Sequence, residues 1–85
     1  MVLNKIFEME TTQCDVIVCD TGETILGERL YTIESYHRKN KNSNIRFGTL
    51  QQLYNIMVTY QYGVKPEYKK AYEEFVSDLS IRKLS

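Results

Sequence analysis

Two cysteines and one histidine are the residues of this sequence that could carry nucleophilic chemistry. Cys14 and Cys19 lie five residues apart, and His37 is the single histidine of the chain. Covalent catalysis would need a thiol activated by an imidazole base, here with Asp15 or Asp20 as the supporting carboxylate. The apolar, β-branched residues between the cysteines instead indicate buried and unreactive thiols. We therefore expect a protein that is not an enzyme.

Other kinds of chemical site lack their motifs. The sequence contains no glycine-rich phosphate loop and no serine nucleophile elbow. A structural zinc ion needs about four ligands, and only the two cysteines and the histidine are good candidates. An odd spacing within a strand would point Cys14 and Cys19 to opposite faces, which argues against a disulfide between them. We expect no cofactor and a reduced, cytoplasmic protein, because the sequence has no signal peptide or membrane-spanning segment.

The charges are unevenly distributed along a chain whose formal net charge is zero. Seven acidic residues and one base lie between Glu8 and Glu34, whereas residues 38–46 contain four bases and no acid. These bases are Arg38, Lys39, Lys41 and Arg46. Basic side chains near aromatic ones can bind phosphate, and the interspersed asparagines would also suit an acidic protein surface. A solvated loop has the same composition, and zero net charge argues against a protein that coats nucleic acid.

The segment 47–64 contains eighteen residues without a formal charge, although 26% of the chain is charged. Thr49 and Gln52 form a capping-box pattern near its start, and Gly63 suits a left-handed residue at the helix end. Apolar residues recur between them at three- and four-residue spacing, namely Leu50, Leu53, Tyr54, Met57 and Val58. These features predict a helix over about 49–62.

The opposite side of this predicted helix carries Gln51, Asn55 and Tyr62, where a solvated helix usually has Lys and Glu. Protein interfaces are depleted in Lys and Glu and enriched in aromatic residues and Met. The neutral side therefore predicts a surface for a partner or for self-association, or else a helix that the rest of the fold mostly covers.

The first half of the chain has the alternation and β-branched content of strands. Residues 2–11 predict a first strand, although Lys5 and Ile6 interrupt its alternation. Residues 14–19 predict a second strand, apolar on both faces, which ends in a tight turn at 20–23.

The region after this turn is ambiguous. Residues 24–37 fit either a strand paired with 14–19 or an amphipathic helix. In the strand interpretation, Gly22 supplies the positive φ of the preceding turn and Gly27 marks a bulge. We expect residues 38–43 to form an exposed loop and residues 44–47 a short strand.

A second helix is predicted after a short link. Pro66 suits the first position of a helix, because its fixed φ is already helical. Apolar residues then form a stripe to about residue 80, namely Tyr68, Ala71, Tyr72, Phe75, Val76 and Leu79. Residues 81–85 are predicted to be a frayed basic tail.

Together these elements predict an α+β fold with a single domain over residues 1–85. A small antiparallel sheet of two to four strands, from residue 2 to about 47, precedes a helical hairpin at about 49–62 and 66–80. We expect the hairpin to pack on one face of the sheet.

We interpret the protein as a non-enzymatic binding protein. A short chain rich in Tyr, Asn and Lys, without a catalytic motif, resembles the accessory proteins of phages and mobile elements, among them the anti-CRISPR proteins. That resemblance implies an inhibitor or modulator that occupies a surface of a host protein or defence complex. The predicted partner-binding residues are Arg38, Lys39, Lys41, Arg46, Gln51, Asn55 and Tyr62.

Two alternatives belong to other functional classes. The basic segment 38–46 could serve a nucleic-acid-binding regulatory protein, whose affinity would fall steeply with salt concentration. The neutral segment could instead form a homodimer that sequesters a small polar ligand, with helix 49–62 packed on its own copy.

Overall fold

A computed structural model describes residues 3–84, which form four strands and two α-helices. The strands are β1 (Asn4–Glu10), β2 (Cys14–Ile25), β3 (Glu28–His37) and β4 (Asn42–Gly48). They are followed by α1 (Leu50–Val58) and by α2 (Lys69–Lys83), with a 3-10 turn at Pro66–Tyr68 before α2. The sheet is antiparallel with the order β1-β2-β3-β4, so the predicted α+β fold is confirmed. Val2 and Ser85, at the ends of the predicted elements, lie outside the described residues.

The core lies between the helices and one face of the sheet, here called the inner face. Val16 and Val18 on β2 are fully buried on this face, together with Met9 on β1 and Ile33 on β3. The two helices contribute Leu53, Met57, Tyr72 and Leu79 to the same cluster. Phe7 also stacks on Phe75 of α2, with ring centroids 4.3 Å apart. Both helices therefore cover one face, as predicted, and the outer face of the sheet is left without a helix.

The ambiguous region 24–37 contains no helix, because it forms the end of β2, a hairpin turn and β3, and the position of that turn differs from the prediction. β2 continues to Ile25, and the turn is formed by Leu26 and Gly27, with φ of 51° and 82°. Gly22, with φ of 77°, lies instead in an irregularity of the β2–β3 register between Asp20 and Thr24. The roles predicted for the two glycines were therefore exchanged. Turns and bulges both use positive φ, so local sequence marks the positions without distinguishing the two structures.

A bulge in β1 explains why its alternation is imperfect. The register shifts between Lys5 and Phe7, so that Lys5 lies opposite Cys19 and Phe7 lies opposite Val18. Paired residues share a face, so Lys5 projects from the outer face and Phe7 from the inner face. The inserted residue, Ile6, shifts the alternation of the strand so that Phe7 projects toward the core.

Helix α1 begins as predicted and ends earlier. The Gln52 side chain accepts a hydrogen bond of 2.8 Å from the Thr49 amide, which is the expected capping contact. The helix stops at Val58, where the Thr59 hydroxyl donates to the Ile56 carbonyl at 2.6 Å, and residues 59–62 form turns. Gly63 does not adopt the predicted positive φ.

Helix α2 is shifted along the chain relative to the prediction, because it begins at Lys69, after the 3-10 turn, and ends at Lys83. Arg82, which we expected in a frayed tail, donates a hydrogen bond of 2.7 Å to the hydroxyl of Tyr31 on β3. This tertiary contact holds the last helical turn on the sheet. No helix within residues 3–84 combines the length and the apolar content needed to cross a membrane.

The predicted loop 38–43 is shorter than expected. Only residues 38–41 connect β3 to β4, with Lys41 at φ 53°, and the strand begins at Asn42 instead of at residue 44. Arg46 is consequently a strand residue and not part of a loop.

Candidate functional site

An open cleft of about 740 Å³ lies between the inner face of β3–β4 and one side of α1. Its floor includes Ile33 and Ser35 of β3, and its walls include Arg46 of β4 and Asn55 of α1. The cleft exists because α1 packs mainly on β3, which leaves the inner face of β4 largely uncovered. Its volume lies within the usual range for ligand pockets.

Arg46 provides the distinctive charge of this cleft. It lies opposite Ile33 in the β3–β4 register, which places its side chain on the inner face. Within residues 3–84 it makes no ion pair and no side-chain hydrogen bond. No Asp or Glu belongs to the cleft lining, so the guanidinium is available to an external anion.

The other three arginines differ from Arg46, because each of them contacts a carboxylate of its own chain. Arg29 Nε lies 2.9 Å from Asp20 Oδ1, and Arg82 lies 3.6 Å from Asp78.

Arg38 is the third of these arginines, and it is one of the residues predicted to bind a partner. It bonds to Asp15 and also donates to the Thr11 carbonyl, so it fixes the β1–β2 turn against the end of β3. Arg38 was predicted to bind a partner together with the neighbouring bases. Its intramolecular bonds separate it from that group.

The two predicted lysines remain on the surface. Lys39 and Lys41 are exposed in the β3–β4 turn, without an ion pair in the described part of the chain. Lys39 borders a smaller depression beside Thr12 and His37, next to the main cleft. The basic segment therefore consists of one structural arginine, two exposed lysines in the β3–β4 turn and one arginine inside the cleft.

The neutral side of α1 forms the opposite wall of the cleft. Asn55 is exposed and lines the cleft, and its side-chain oxygen accepts a bond of 3.1 Å from Gln51. Gln51 is exposed but lies outside the lining. Tyr62 is 93% exposed and lies at the cleft rim. Thus three of the predicted residues, Arg46, Asn55 and Tyr62, come together on one concave surface.

Several residues of this surface were not among the predicted partner-binding residues. The β1–β2 turn at residues 11–13 closes one end of the cleft, and Asn44 and Tyr60 contribute to its sides. The position of Asn44 could have been found from strand alternation, because it shares a face of β4 with Arg46. The contribution of the β1–β2 turn depends on tertiary packing, in which Thr12 donates its amide to the Gly63 carbonyl at 2.8 Å.

The fold brings together one cysteine and the histidine at the floor of the cleft. Cys14 Sγ lies 3.2 Å from His37 Nδ1, and Cys14 is only 4% exposed. Asp15 contacts Arg38, so this carboxylate does not orient the imidazole as catalysis would require. Cys19 lies on the outer face, and both thiols are free.

Asp20, the other carboxylate considered for catalysis, also bonds to groups of its own chain. Asp20 accepts a bond of 2.8 Å from the Gly22 amide and two bonds from Arg29. The Gly22 bond, followed by the Arg29 contact, holds the pKa of Asp20 below its usual value. Residues 3–84 contain no group of three or more His, Cys, Asp or Glu side chains that could hold a metal ion.

No protein-family profile matches the chain, and comparison with curated proteins and with solved structures found no significant match either. The cleft must therefore be interpreted from its own geometry and charge.

Proposed function

We propose that this protein is a non-enzymatic binding protein that occupies the surface of another protein, as small inhibitors from phages and mobile elements do. The observation that carries this proposal is the unpaired Arg46 in a cleft without acidic residues. A guanidinium group forms bidentate contacts with carboxylates, which favours an acidic group of the partner.

The remaining parts of the surface suit a protein partner. Tyr62, at 93% exposure, offers a rigid aromatic surface at low cost in conformational entropy. Asn55 and Gln51 offer polar contacts on a helix face without charges to desolvate. Lys39 and Lys41, exposed in the β3–β4 turn, would attract an acidic surface and accelerate association at low salt concentration.

The proposal is tested by affinity capture from extracts of the natural host cell. The bait is the intact protein, compared with Arg46→Glu and with the matched charge reversal Lys70→Glu on the exposed side of α2. We expect wild type and Lys70→Glu to retain the same host protein and Arg46→Glu to lose it. The purified partner should then bind wild type at least about a hundredfold more tightly than Arg46→Glu, the range expected for a disrupted charge pair.

Equal capture by all three baits would remove the cleft from the binding surface. The salt dependence of the measured affinity distinguishes the nucleic-acid alternative from a protein partner. A steep logarithmic fall with salt concentration, together with retained nucleic acid, would identify phosphate contacts and contradict a protein partner.

A small anionic ligand is a second candidate, supported by the cleft itself. The volume of about 740 Å³, one arginine, several amide and hydroxyl groups and two tyrosines suit a ligand with an anionic group and a planar ring. Calorimetric titration with nucleotides and dicarboxylates tests this candidate directly. Binding that disappears in Arg46→Gln, with one ligand per two chains in light scattering, would identify a sequestering homodimer.

A further inference from the structure

Strand β4 is an open edge of the sheet. It pairs with β3 alone, over seven residue pairs from Tyr31–Gly48 to His37–Asn42, without a bulge. Every residue of β4 before Gly48 is exposed. An edge strand presents unpaired backbone N–H and C=O groups, and a long, regular, exposed edge is a template for another strand.

The side chains of β4 have a consistent alternation. Ile45 and Phe47 project from the outer face, where they are 56% and 57% exposed. Asn44 and Arg46 project from the inner face toward the cleft. No acidic residue occurs between positions 38 and 48, so the edge carries uncompensated positive charge and an apolar strip.

We propose that β4 binds an extended acidic segment of the partner protein as a fifth strand of the sheet. This inference rests on the proposed function, for which it specifies the bound element. Backbone hydrogen bonds to β4 would supply affinity, as in other cases of strand addition. Because directly opposed side chains on one face interact, an acid would face Arg46 and apolar side chains would face Ile45 and Phe47. The bound segment therefore alternates acidic and apolar residues.

A second copy of this chain does not meet these requirements. In a pair formed by β4 and the β4 of another copy, neither strand carries an acid to face Arg46, because residues 38–48 contain none. The other edge strand, β1, does carry acids, but its register is interrupted between Lys5 and Phe7. The end of β1 is also already bonded, because Lys65 donates its amide to the Glu10 carbonyl at 3.1 Å.

The experiment begins with selection of random peptides displayed on phage against the intact protein. Peptides of about ten residues are long enough to cover the seven residues of β4. We expect enriched sequences in which acidic and apolar residues alternate. Ile45→Lys should lower their affinity roughly tenfold or more, whereas Ile25→Lys is the matched control, because Ile25 is similarly exposed at 51% but lies near the β2–β3 turn.

Backbone methylation of the best peptide then tests for strand pairing. N-methylation should lower affinity roughly tenfold at every second residue, because only alternate amides of an added strand face the edge. Hydrogen exchange should also slow at alternate amides of β4 when the peptide is bound.

The outcomes separate this inference from the proposed function. Peptides that depend on Arg46 but tolerate methylation at every position would support binding in the cleft and overturn strand addition. Failure to enrich any peptide would overturn strand addition, and the proposed function would stand only if affinity capture still depends on Arg46. Retention of nucleic acid in place of peptides, or a stable dimer that blocks β4, would overturn the inference.

Discussion

The two outer strands of the sheet, β1 and β4, are both seven residues long and have different surroundings. β1 contains a bulge, buries Met9 to 2% exposure and has its end bonded by the segment that follows α1. β4 is regular, exposed and positively charged. Natural sheets usually interrupt or cover their edges, as β1 does, so the unprotected edge at β4 is the one that indicates binding.

This difference arises from where the helices pack. α2 lies over β1, where Phe75 stacks on Phe7, and its last turn bonds to Tyr31 of β3. α1 covers β3 and leaves the inner face of β4 beside an open cleft. We infer that β1 contributes mainly to stability and β4 mainly to binding, and the following predictions test this division.

The largest effect on stability is expected at the covered edge. Met9→Ala should lower the free energy of unfolding by about 2–5 kcal/mol, because it leaves a cavity in the core. Phe47→Ala on β4 should lower it by less than about 1 kcal/mol, because that ring is more than half exposed. Urea denaturation followed by circular dichroism measures both values. Equal losses of unfolding free energy in the two variants would contradict the inference that β1 contributes mainly to stability and β4 mainly to binding.

The β2–β3 turn belongs to neither edge strand, so a substitution there is a reference for the substitutions in β1 and β4. Leu26 has φ of 51°, a strained backbone conformation for leucine. Its side chain is 97% exposed and makes few contacts. Leu26→Asn should raise the free energy of unfolding by roughly 0.5–1 kcal/mol, because Asn-Gly is preferred in two-residue hairpin turns. Binding to β4 should be unchanged in this variant. A loss of stability in the same urea measurement would show that the turn geometry is different.

The bonds to Glu10 at the end of β1 should make the stability of the protein depend on pH. The Lys65 ammonium, at 2.7 Å, and the Tyr68 hydroxyl, at 3.2 Å, bond to Glu10 and hold its pKa below the ordinary value of 4.5. A carboxyl group with a lowered pKa in the folded state stabilises the protein above pH 4.5, and this contribution is lost as pH falls through the lower value.

Glu10→Gln should therefore have a melting temperature that falls less steeply than that of wild type below pH 4.5. Glu74→Gln, on the exposed side of α2 and without an ion pair in the described residues, is the control. Parallel melting curves for wild type and Glu10→Gln would show that this cluster does not contribute.

The smallest effect on stability is expected from a charge on the open edge. Ile45→Lys should change the free energy of unfolding by no more than about 0.5 kcal/mol, because the side chain is exposed. It should also reduce any self-association at high protein concentration, since lysine on an edge strand opposes strand pairing. Light scattering over a concentration series measures this effect. If Ile45→Lys associated more strongly than Ile25→Lys, the conclusion that β4 is an open edge in the wild type would be contradicted.

Much of the architecture was predictable because its signals are local. The capping pattern at Thr49 and Gln52, the apolar periodicity of both helices and the β-branched run in β2 require no knowledge of distant contacts. The exposure of Gln51 and Asn55 also followed from helical periodicity and the absence of charge.

The candidate site was only partly predictable, because charge alone does not reveal pairing. Arg38 and Arg46 look equivalent in sequence, yet Arg38 bonds to Asp15 and the Thr11 carbonyl, whereas Arg46 makes no such contact in the described residues. The choice between them depends on which strand face each occupies and on which carboxylate lies across the sheet.

The sequence by itself determined the fold class, the two helices and the neutral side of α1. These properties depend on periodicity and on residues within a few positions of one another. Only the tertiary structure decided that α1 packs mainly on β3, that Cys14 meets His37 and that one edge of the sheet stays open. Each of these results depends on side-chain packing between distant segments, which local patterns do not encode.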